Sequence, residues 1–397
     1  YSMIDDLSFL LNSLPPYNGT ASFGNVALPS IVPVVSGVPP SPACGPGIAS
    51  PCTVFAPQGV QPNAKTPAVN EWNFTVERQL NTQTSFSLAY VGSFGYHGLI
   101  SIDPNSIPAR ICSNPRGCVA GGVGSVRSRV PEGASYIPVG SRPNPYLSGG
   151  FFWYTEGNSS YNALQTNVTR RLTHHLEFRA NYTWSKNLDI NSALTGAQAT
   201  NEAQMVLNRN NLSADWGPSA LNAEHQASLS AHYELPFGRG NILGGWQLNG
   251  IATLLSGFPV TPQVGSNRSG DGDTRNPDRP SYNPAFTGPI VEGNPNQWFN
   301  PDAFVLPAAG TYGNVGRGVL TGPGLAELDV SLFKNVALTE RVHLQIRSEF
   351  FNALNHPNFA TPNTIVFSGT QVSSTAGLIT STATTSRQIQ FGMKLIF

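Results

Sequence analysis

The sequence predicts an all-β fold, the C-terminal part of an antiparallel transmembrane β-barrel, on three observations. Apolar and polar residues alternate along segments of about ten to thirteen residues, as tilted membrane strands require. Charged residues are few, and short and long connections alternate between the segments. Each observation is typical of a barrel wall, in which one side of every strand faces lipid and the other faces the interior.

The alternation is clearest between His175 and Lys186. One phase consists of Leu176, Phe178, Ala180, Tyr182 and Trp184, and the other of Glu177, Arg179, Asn181, Thr183 and Ser185. The same pattern predicts nine strands, at about 70–80, 84–95, 160–172, 175–186, 224–235, 246–257, 325–336, 340–352 and 385–397. Such strands exceed the roughly five or six residues usual in soluble sheets and match a tilted strand that crosses a bilayer.

The composition indicates a membrane wall made of strands, without membrane-spanning helices. Charged residues make up 11% of the 397 residues, against roughly 25% in soluble domains. Only 40% are hydrophobic, and no run approaches the roughly 18 apolar residues of a membrane helix. Basic and acidic residues number 22 each, so no net charge or basic stripe points to nucleic acid as a partner.

The connections differ in length from one side of the predicted sheet to the other. Short turns are expected near 81–83, 173–174, 236–245 and 337–339, and long polar segments at 96–159, 187–223, 258–324 and 353–384. Outer-membrane barrels have short periplasmic turns and long extracellular loops. With Phe397 at the periplasm, residues 1–69 are predicted to be an extracellular loop region, with a loop helix at 2–14, and 70–397 the barrel segment.

The strand count also predicts that the chain is a fragment. Bacterial single-chain barrels carry an even number of strands. Nine strands that begin outside the cell therefore imply at least one further strand upstream of Tyr1.

Few residues indicate chemistry. The pairs Cys44 with Cys52 and Cys112 with Cys118 lie in Pro/Gly-rich segments without zinc-site spacing, which favours two small disulfide loops over free thiols. Asp271, Asp273 and Asp278 offer oxygen ligands as a calcium loop would, but the later bidentate Glu is missing, so a solvated loop is favoured over a metal site. Neither G-x-S-x-G nor a P-loop occurs, and the sequence predicts no enzyme and no cofactor.

The last eight residues resemble the C-terminal β-signal of outer-membrane proteins. A polar residue, a glycine two positions on, and hydrophobic residues third from last and last are present as Gln390, Gly392, Leu395 and Phe397. In that family the barrel-assembly machinery engages this segment, so the resemblance implies that machinery and outer-membrane lipid as partners. An ordinary edge strand ending in Phe is the alternative, although soluble proteins rarely leave such a strand exposed.

Several segments resemble Oar-like TonB-dependent receptors, which are abundant in acidobacteria. They lie at 182–189, 211–218, 233–240, 244–248, 256–259, 298–301, 313–317, 331–335 and 349–359, within a resemblance that covers about 70–397. The resemblance implies an outer-membrane transport barrel for a large extracellular ligand such as a glycan or a metal chelate. It also implies TonB as a partner through an upstream plug, and this chain lacks a plug, an N-terminal β-sandwich and a TonB-contacting box.

Two other functions remain open at the level of sequence. The barrel could anchor loops that bind matrix or host glycans, as an adhesion or surface-display protein does. A hydrolytic outer-membrane enzyme would need a Ser/His/Asp cluster in the outer loops, and the sequence offers none. A plug domain upstream in the reading frame would favour transport over both.

Overall fold

A computed structural model describes residues 44–48, 52, 54, 56–192, 201–237, 243–273, 275, 277–339 and 341–397. The predicted loop helix at 2–14 lies outside these residues. Nine long strands, numbered here along the chain, form one antiparallel sheet in which each strand pairs with the next. They are β1 (Ala68–Gln79), β2 (Thr84–Ile102), β3 (Phe151–Thr173), β4 (Leu176–Asp189), β5 (His225–Leu235), β6 (Trp246–Leu255), β7 (Leu325–Ala337), β8 (His343–Phe351) and β9 (Gln388–Ile396).

The prediction of an all-β fold is confirmed, and each predicted strand overlaps one strand of this sheet. Among the described residues β1 and β9 are the edges of an open sheet and do not pair with each other. Two short strands extend it: Gln58–Val60 pairs in parallel with the start of β3, and Gly217–Pro218 pairs with the end of β4. No helix in the described part of the chain is long and apolar enough to span a membrane.

The predicted ranges 84–95 and 160–172 were too short, because β2 and β3 continue to Ile102 and back to Phe151. Their pairing passes two register shifts, at Gly95/Gly98 and at Gly98/Ile100. Beyond them Ile100, Ser101 and Ile102 are all buried, so the strand no longer has one exposed face. The alternation that predicts a half-buried strand is therefore lost in the part of the hairpin covered by the loops.

The connections follow the predicted asymmetry. At one end of the sheet lie the short turns at 80–83, 174–175, 236–245 and 338–342, of which 238–242 and 340 are outside the described residues. His174 and His175 both have positive φ, 48° and 67°, as the two central residues of a tight hairpin turn require. At the other end lie the long segments 103–150, 190–224, 256–324 and 352–387.

The register places the apolar phase of every strand on one face. Leu229 of β5 lies opposite Ala180 of β4 and Ala252 of β6, and Met393 of β9 lies opposite Ile346 of β8. Exposed side chains of this face include Trp72, Phe74, Leu88, Tyr90, Leu164, Tyr182, Trp184, Leu229, Leu248, Leu254, Ile346, Ile389, Phe391, Met393 and Leu395. The other face carries mainly polar residues, such as Arg179 opposite Ser230. One apolar and one polar face are what a lipid-facing wall with a wet interior needs.

The long segments fold together into a layer that we call the cap. Its strand pairs are Arg110–Ile111 with Ser135–Tyr136, Cys118–Ala120 with Ser128–Val130, Pro259–Val260 with Leu320–Thr321, Gln263–Val264 with Ile365–Ser368, Ile365–Ser368 with Gln371–Val372, Ser281–Tyr282 with Phe304–Val305, and Val291–Asn294 with Gln297–Phe299. Two 3₁₀ helices, Leu212–Asp215 and Pro301–Ala303, complete it. The largest buried cluster of the described residues lies here, around Phe299, Val260, Val264, Val315 and Val366, each at most 1% exposed.

Candidate ligand-binding site

The polar face of the sheet contains a cavity of about 690 Å³ at the short-turn end. Its lining comes from β1 to β4 and the first turn, and consists of Glu77, Arg78, Gln79, Thr82, Gln83, Thr84, Ser85, Phe86, Ser87, Asn167, Thr169, Arg171, Glu177 and Arg179. Because alternate residues of a strand point to the same face, Glu77, Thr169, Glu177 and Arg179 converge here. Both charge signs and many hydroxyl and amide groups suit a water-filled or protein-filled interior.

The cap is held together by an ion network around Arg317, which is 5% exposed. Its Nε donates to Glu202 Oε2 at 2.6 Å, its Nη2 forms an ion pair with Asp189, and its Nη1 donates to the Asp215 carbonyl oxygen at 3.0 Å. Arg279 forms a second ion pair, with Asp215 at 3.3 Å. These partners come from the end of β4, from segment 190–224 and from segment 256–324, so the network links loops that are far apart in sequence.

Burial controls the charges in this network. It raises the pKa of Glu202 despite the opposing effect of Arg317, and it raises the pKa of Asp215 despite Arg279. It lowers the pKa of Arg279, whereas for Arg317 the attraction of Glu202 and Asp189 outweighs burial and raises the pKa. Losing one partner would leave an uncompensated charge in a site of low dielectric constant, so the network acts as a clamp on the cap.

A second buried cluster contains the aspartates predicted as calcium-loop candidates. Asp271, Asp273 and Asp278 are 4%, 5% and 2% exposed. The Tyr312 hydroxyl donates to Asp271 Oδ2 at 3.1 Å, and the Ser269 amide donates to Asp278 Oδ2 at 2.6 Å. The structure thus places these carboxyl groups in the cap interior, where they accept protein hydrogen bonds, and not in the solvated loop that the sequence favoured.

Asp103 joins this cluster from segment 103–150 and is paired with Arg142 at 3.2 Å. Burial, together with the neighbouring Asp271 carboxyl, raises the pKa of Asp273 to about 8 and that of Asp278 to about 7. Within the described ranges, no group of three or more His, Cys, Asp or Glu side chains is arranged to hold a metal ion. Calcium binding by Asp271, Asp273 and Asp278 was the less favoured alternative at the level of sequence, and it stays untested.

Both predicted cysteine pairs are joined in the structure. The Cα atoms of Cys44 and Cys52 lie 4.9 Å apart, and those of Cys112 and Cys118 lie 5.7 Å apart. The second pair packs with Ala120 and Val130 in a small buried cluster of the cap. Formation of both bonds in the exported protein remains to be measured.

The residues of the predicted assembly signal lie on and just after β9. Gln390 is opposite Glu349, Gly392 is opposite Arg347, and Leu395 is opposite Leu344. Leu395 belongs to the apolar face, and Phe397, 93% exposed, follows the end of the strand. An exposed apolar end beside an edge that has no pairing strand among the described residues is accessible to an assembly partner. Recognition of this segment by the assembly machinery stays a prediction.

Sequence reasoning missed the ion network, although a signal was present. Asp189, Asp215 and Arg317 each belong to a segment in which the resemblance was seen: 182–189, 211–218 and 313–317. Glu202 and Arg279 lie outside those segments. Nothing in strand periodicity reveals which charged residues of separate loops will meet.

Comparison with known proteins identifies the class. Residues 2–390 match the sequence family described as "Outer membrane beta barrel domain". The match spans nearly the whole chain, so the chain belongs to this family. The predicted location in the bacterial outer membrane is thereby confirmed. No curated protein matches the sequence.

Among solved structures the fold is similar to outer-membrane transporters and receptors. The outer membrane transporter YddB from Escherichia coli aligns with a TM-score of 0.44 and 10% identity over 84% of this chain and 33% of YddB. The ferripyoverdine receptor of Pseudomonas aeruginosa gives 0.39 and 11% over 83% of this chain and 27% of the receptor. The FrpB iron transporter from Neisseria meningitidis gives 0.39 and 8% over 86% and 33%, respectively. The chain therefore spans about a third of the length of these proteins.

Proposed function

We propose that the chain is the C-terminal barrel segment of a TonB-dependent receptor of the Oar-like, acidobacterial type. It would take up a large extracellular ligand, such as a glycan or a metal chelate. The observation that carries this proposal is the register of the nine strands, which puts apolar residues on one face and polar residues on the other, with a folded cap at one end. A polar interior beneath a folded cap supports binding of the ligand by the cap and its passage through the barrel. No catalytic role is part of the proposal.

The same proposal assigns the parts of the chain and their partners. Residues 70–397 would supply wall and cap, and residues 1–69 would belong to the extracellular side, with their last two residues entering β1. Further strands would pair with the edges β1 and β9, and an upstream plug would connect the interior to TonB. The barrel-assembly machinery would bind the end of β9, at Phe397.

Energy-dependent uptake tests the proposal. Cells that express the full-length protein are incubated with fluorescent neutral and acidic oligosaccharides and with an iron-55 chelate, with and without a protonophore. We expect one ligand to accumulate in the cells, and accumulation to stop when the protonophore or deletion of TonB removes the energy source. Surface binding without accumulation of any ligand would contradict transport and favour the adhesion alternative.

A further inference from the structure

The most strongly basic part of the cap is a small lobe formed by residues 110–136. Two short strand pairs build it, Arg110–Ile111 with Ser135–Tyr136 and Cys118–Ala120 with Ser128–Val130. The Cys112–Cys118 disulfide closes it, and Cys112, Ala120 and Val130 form its buried centre. The lobe is thus a folded unit with a defined surface. We call it the arginine lobe.

The arginine lobe carries an unbalanced charge. Arg110, Arg116, Arg127 and Arg129 are all exposed, and Glu132 is the one acidic residue between 110 and 136, which leaves a net charge of +3. By contrast, the longest cap segment, 256–324, contains four arginines and five acidic residues. The described ion pairs of the chain lie elsewhere, and none of these four guanidinium groups takes part in one.

Internal hydrogen bonds fix part of this surface. Arg129 Nη1 donates to the Arg116 carbonyl oxygen at 2.9 Å, which holds that guanidinium against the turn closed by the disulfide. Arg127 donates to backbone carbonyl oxygens at Gly121 and Gly124. Guanidinium groups bind carboxylates in a bidentate manner, and neutral carbonyl partners leave their charge uncompensated.

The position of the lobe separates it from the lipid of its own membrane. It follows β2, which has 19 residues and pairs with the 23-residue β3. A bilayer crossing needs about 9–11 residues, so the shorter strand alone rises roughly 20 Å above the lipid. The lobe packs on the cap, where Ser128 Oγ donates to the Ala309 carbonyl oxygen at 2.7 Å and the Val123 amide donates to Gly270.

The residues between the arginines indicate the kind of anion. Half of them are glycine, serine or asparagine, whose backbone, hydroxyl and amide groups match the hydroxyls of sugars. Val123 and Val126 are about half exposed and can pack against the C–H faces of sugar rings. The one aromatic residue of the lobe, Tyr136, packs against its buried centre, so the lobe lacks the series of stacking aromatic residues with which proteins hold single-stranded nucleic acid.

We propose that the arginine lobe binds an acidic polysaccharide outside the cell, through ion pairs between its guanidinium groups and sugar carboxylates. This inference rests on the proposed function and names the ligand class that the cap captures. Several arginines spread over an exposed surface suit a chain with a carboxylate on each successive sugar better than a single small anion. The cavities described for this chain are lined by other residues.

The test is binding of polygalacturonate to the full-length protein in detergent at 150 mM salt, with neutral dextran of equal length as the reference. We expect polygalacturonate to bind and dextran not to bind. R110Q/R116Q changes two exposed arginines whose side chains make no described hydrogen bond, and it should weaken binding at least tenfold. The matched control R341Q/R387Q removes two exposed arginines outside the lobe and should bind as the wild type does.

Three outcomes would overturn the inference: no binding of polygalacturonate, equal affinity of R110Q/R116Q and wild type, or displacement by an oligonucleotide at equal total charge. Mass spectrometry of the Cys112–Cys118 disulfide in each variant checks that the lobe is folded. The assay needs no energy source and is therefore independent of transport. Binding through the lobe without energy-dependent uptake would leave this inference standing and reject the proposed function.

Discussion

The wall and the cap distribute the same residue types in opposite ways. In the wall, Phe391 and Met393 are 74% and 77% exposed, whereas in the cap Phe299 and Val366 are completely buried. Charged residues differ too: wall residues such as Glu177 and Arg179 are exposed, while Arg317 and Glu202 are buried in the cap as a pair. The exposed side chains of each part therefore match its surroundings: lipid surrounds the apolar face of the wall, and water surrounds the cap.

The stability of the wall and that of the cap come from different sources. Wall strands satisfy their backbone groups through the ladder with their neighbours and gain from lipid contact. The cap folds around an apolar cluster, a disulfide and buried ion pairs, as a water-soluble domain does. Changes in the wall should therefore leave the cap largely intact, and changes in the cap should leave the wall largely intact.

The largest effect is expected from Arg317→Met. It leaves the buried Glu202 and the partly buried Asp189 without their cation, and breaking a buried pair such as Arg317–Glu202 costs about 3–5 kcal/mol. Hydrogen exchange in the folded, full-length protein should show lost protection at 201–219 and 313–321, with the wall strands unchanged. Arg387→Met, at an exposed site, is the control. Equal protection in both variants would show that the network does not clamp the cap.

A charge on the apolar face should damage the wall instead. Leu229 lies midway along β5, between the aromatic residues Tyr182 and Trp184 toward one end and Tyr233 and Trp246 toward the other. Leu229→Arg should cost roughly 2–4 kcal/mol, as expected near the middle of a bilayer. The neighbouring change Ser230→Arg points to the polar face and should cost far less. Heat-modifiable migration on a denaturing gel measures the loss of folded protein in each variant. Similar losses in Leu229→Arg and Ser230→Arg would reject the assignment of the two faces.

Removing the Cys112–Cys118 disulfide should weaken the arginine lobe alone. Cross-links of this kind stabilise by about 2–4 kcal/mol, toward the lower end for a short loop such as this one. The double variant C112S/C118S should become sensitive to limited proteolysis between 110 and 136, while gel migration of the barrel stays unchanged. Mass spectrometry of unreduced wild-type digests should find both within-pair links. Links between the two pairs, or free thiols, would contradict the assignment.

Alkaline pH should loosen the cap gradually. Burial raises the folded-state pKa values of Asp273 and Asp278 to about 8 and about 7 from an ordinary value of 3.8. The folded cap therefore holds these protons more tightly than the unfolded chain does. The stability that the cap gains from binding these protons is fully present below about pH 4. It is lost as pH rises through 7 and 8, at about 1.4 kcal/mol per pH unit for each carboxyl group.

Hydrogen exchange at pH 6 and pH 8.5, corrected for the intrinsic rate, measures this loss at residues 269–279. Asp273→Asn should reduce it, and wall amides should be insensitive to pH. A cap of constant stability across this range would contradict the burial of charge. Recovery of protection on adding calcium at pH 8.5, absent in Asp273→Asn, would support the calcium-loop alternative.

The wall could be predicted from the sequence because its rule is local. Alternation from Leu176 to Ser185 is sufficient to find β4 and its two faces, and each segment predicted in this way overlaps one strand of the sheet. The rule fails at Ile100 and Ser101, where the cap covers both faces of β2. The cap itself could not be predicted, since Asp189 and Arg317 are 128 residues apart and meet only after the loops have packed.

The ion network has a consequence for how such proteins diversify. Because Arg317 of segment 256–324 binds groups from the end of β4 and from segment 190–224, neither of these two segments is an independent module. Replacing a single loop by the corresponding loop of a relative would leave a buried charge without its ion-pair partner, unless the partner residues were transferred together with it. Grafting experiments, and natural recombination, therefore have to move these segments as a set. The arginine lobe is closed by its own disulfide, so it is the part of the cap best suited to be exchanged alone.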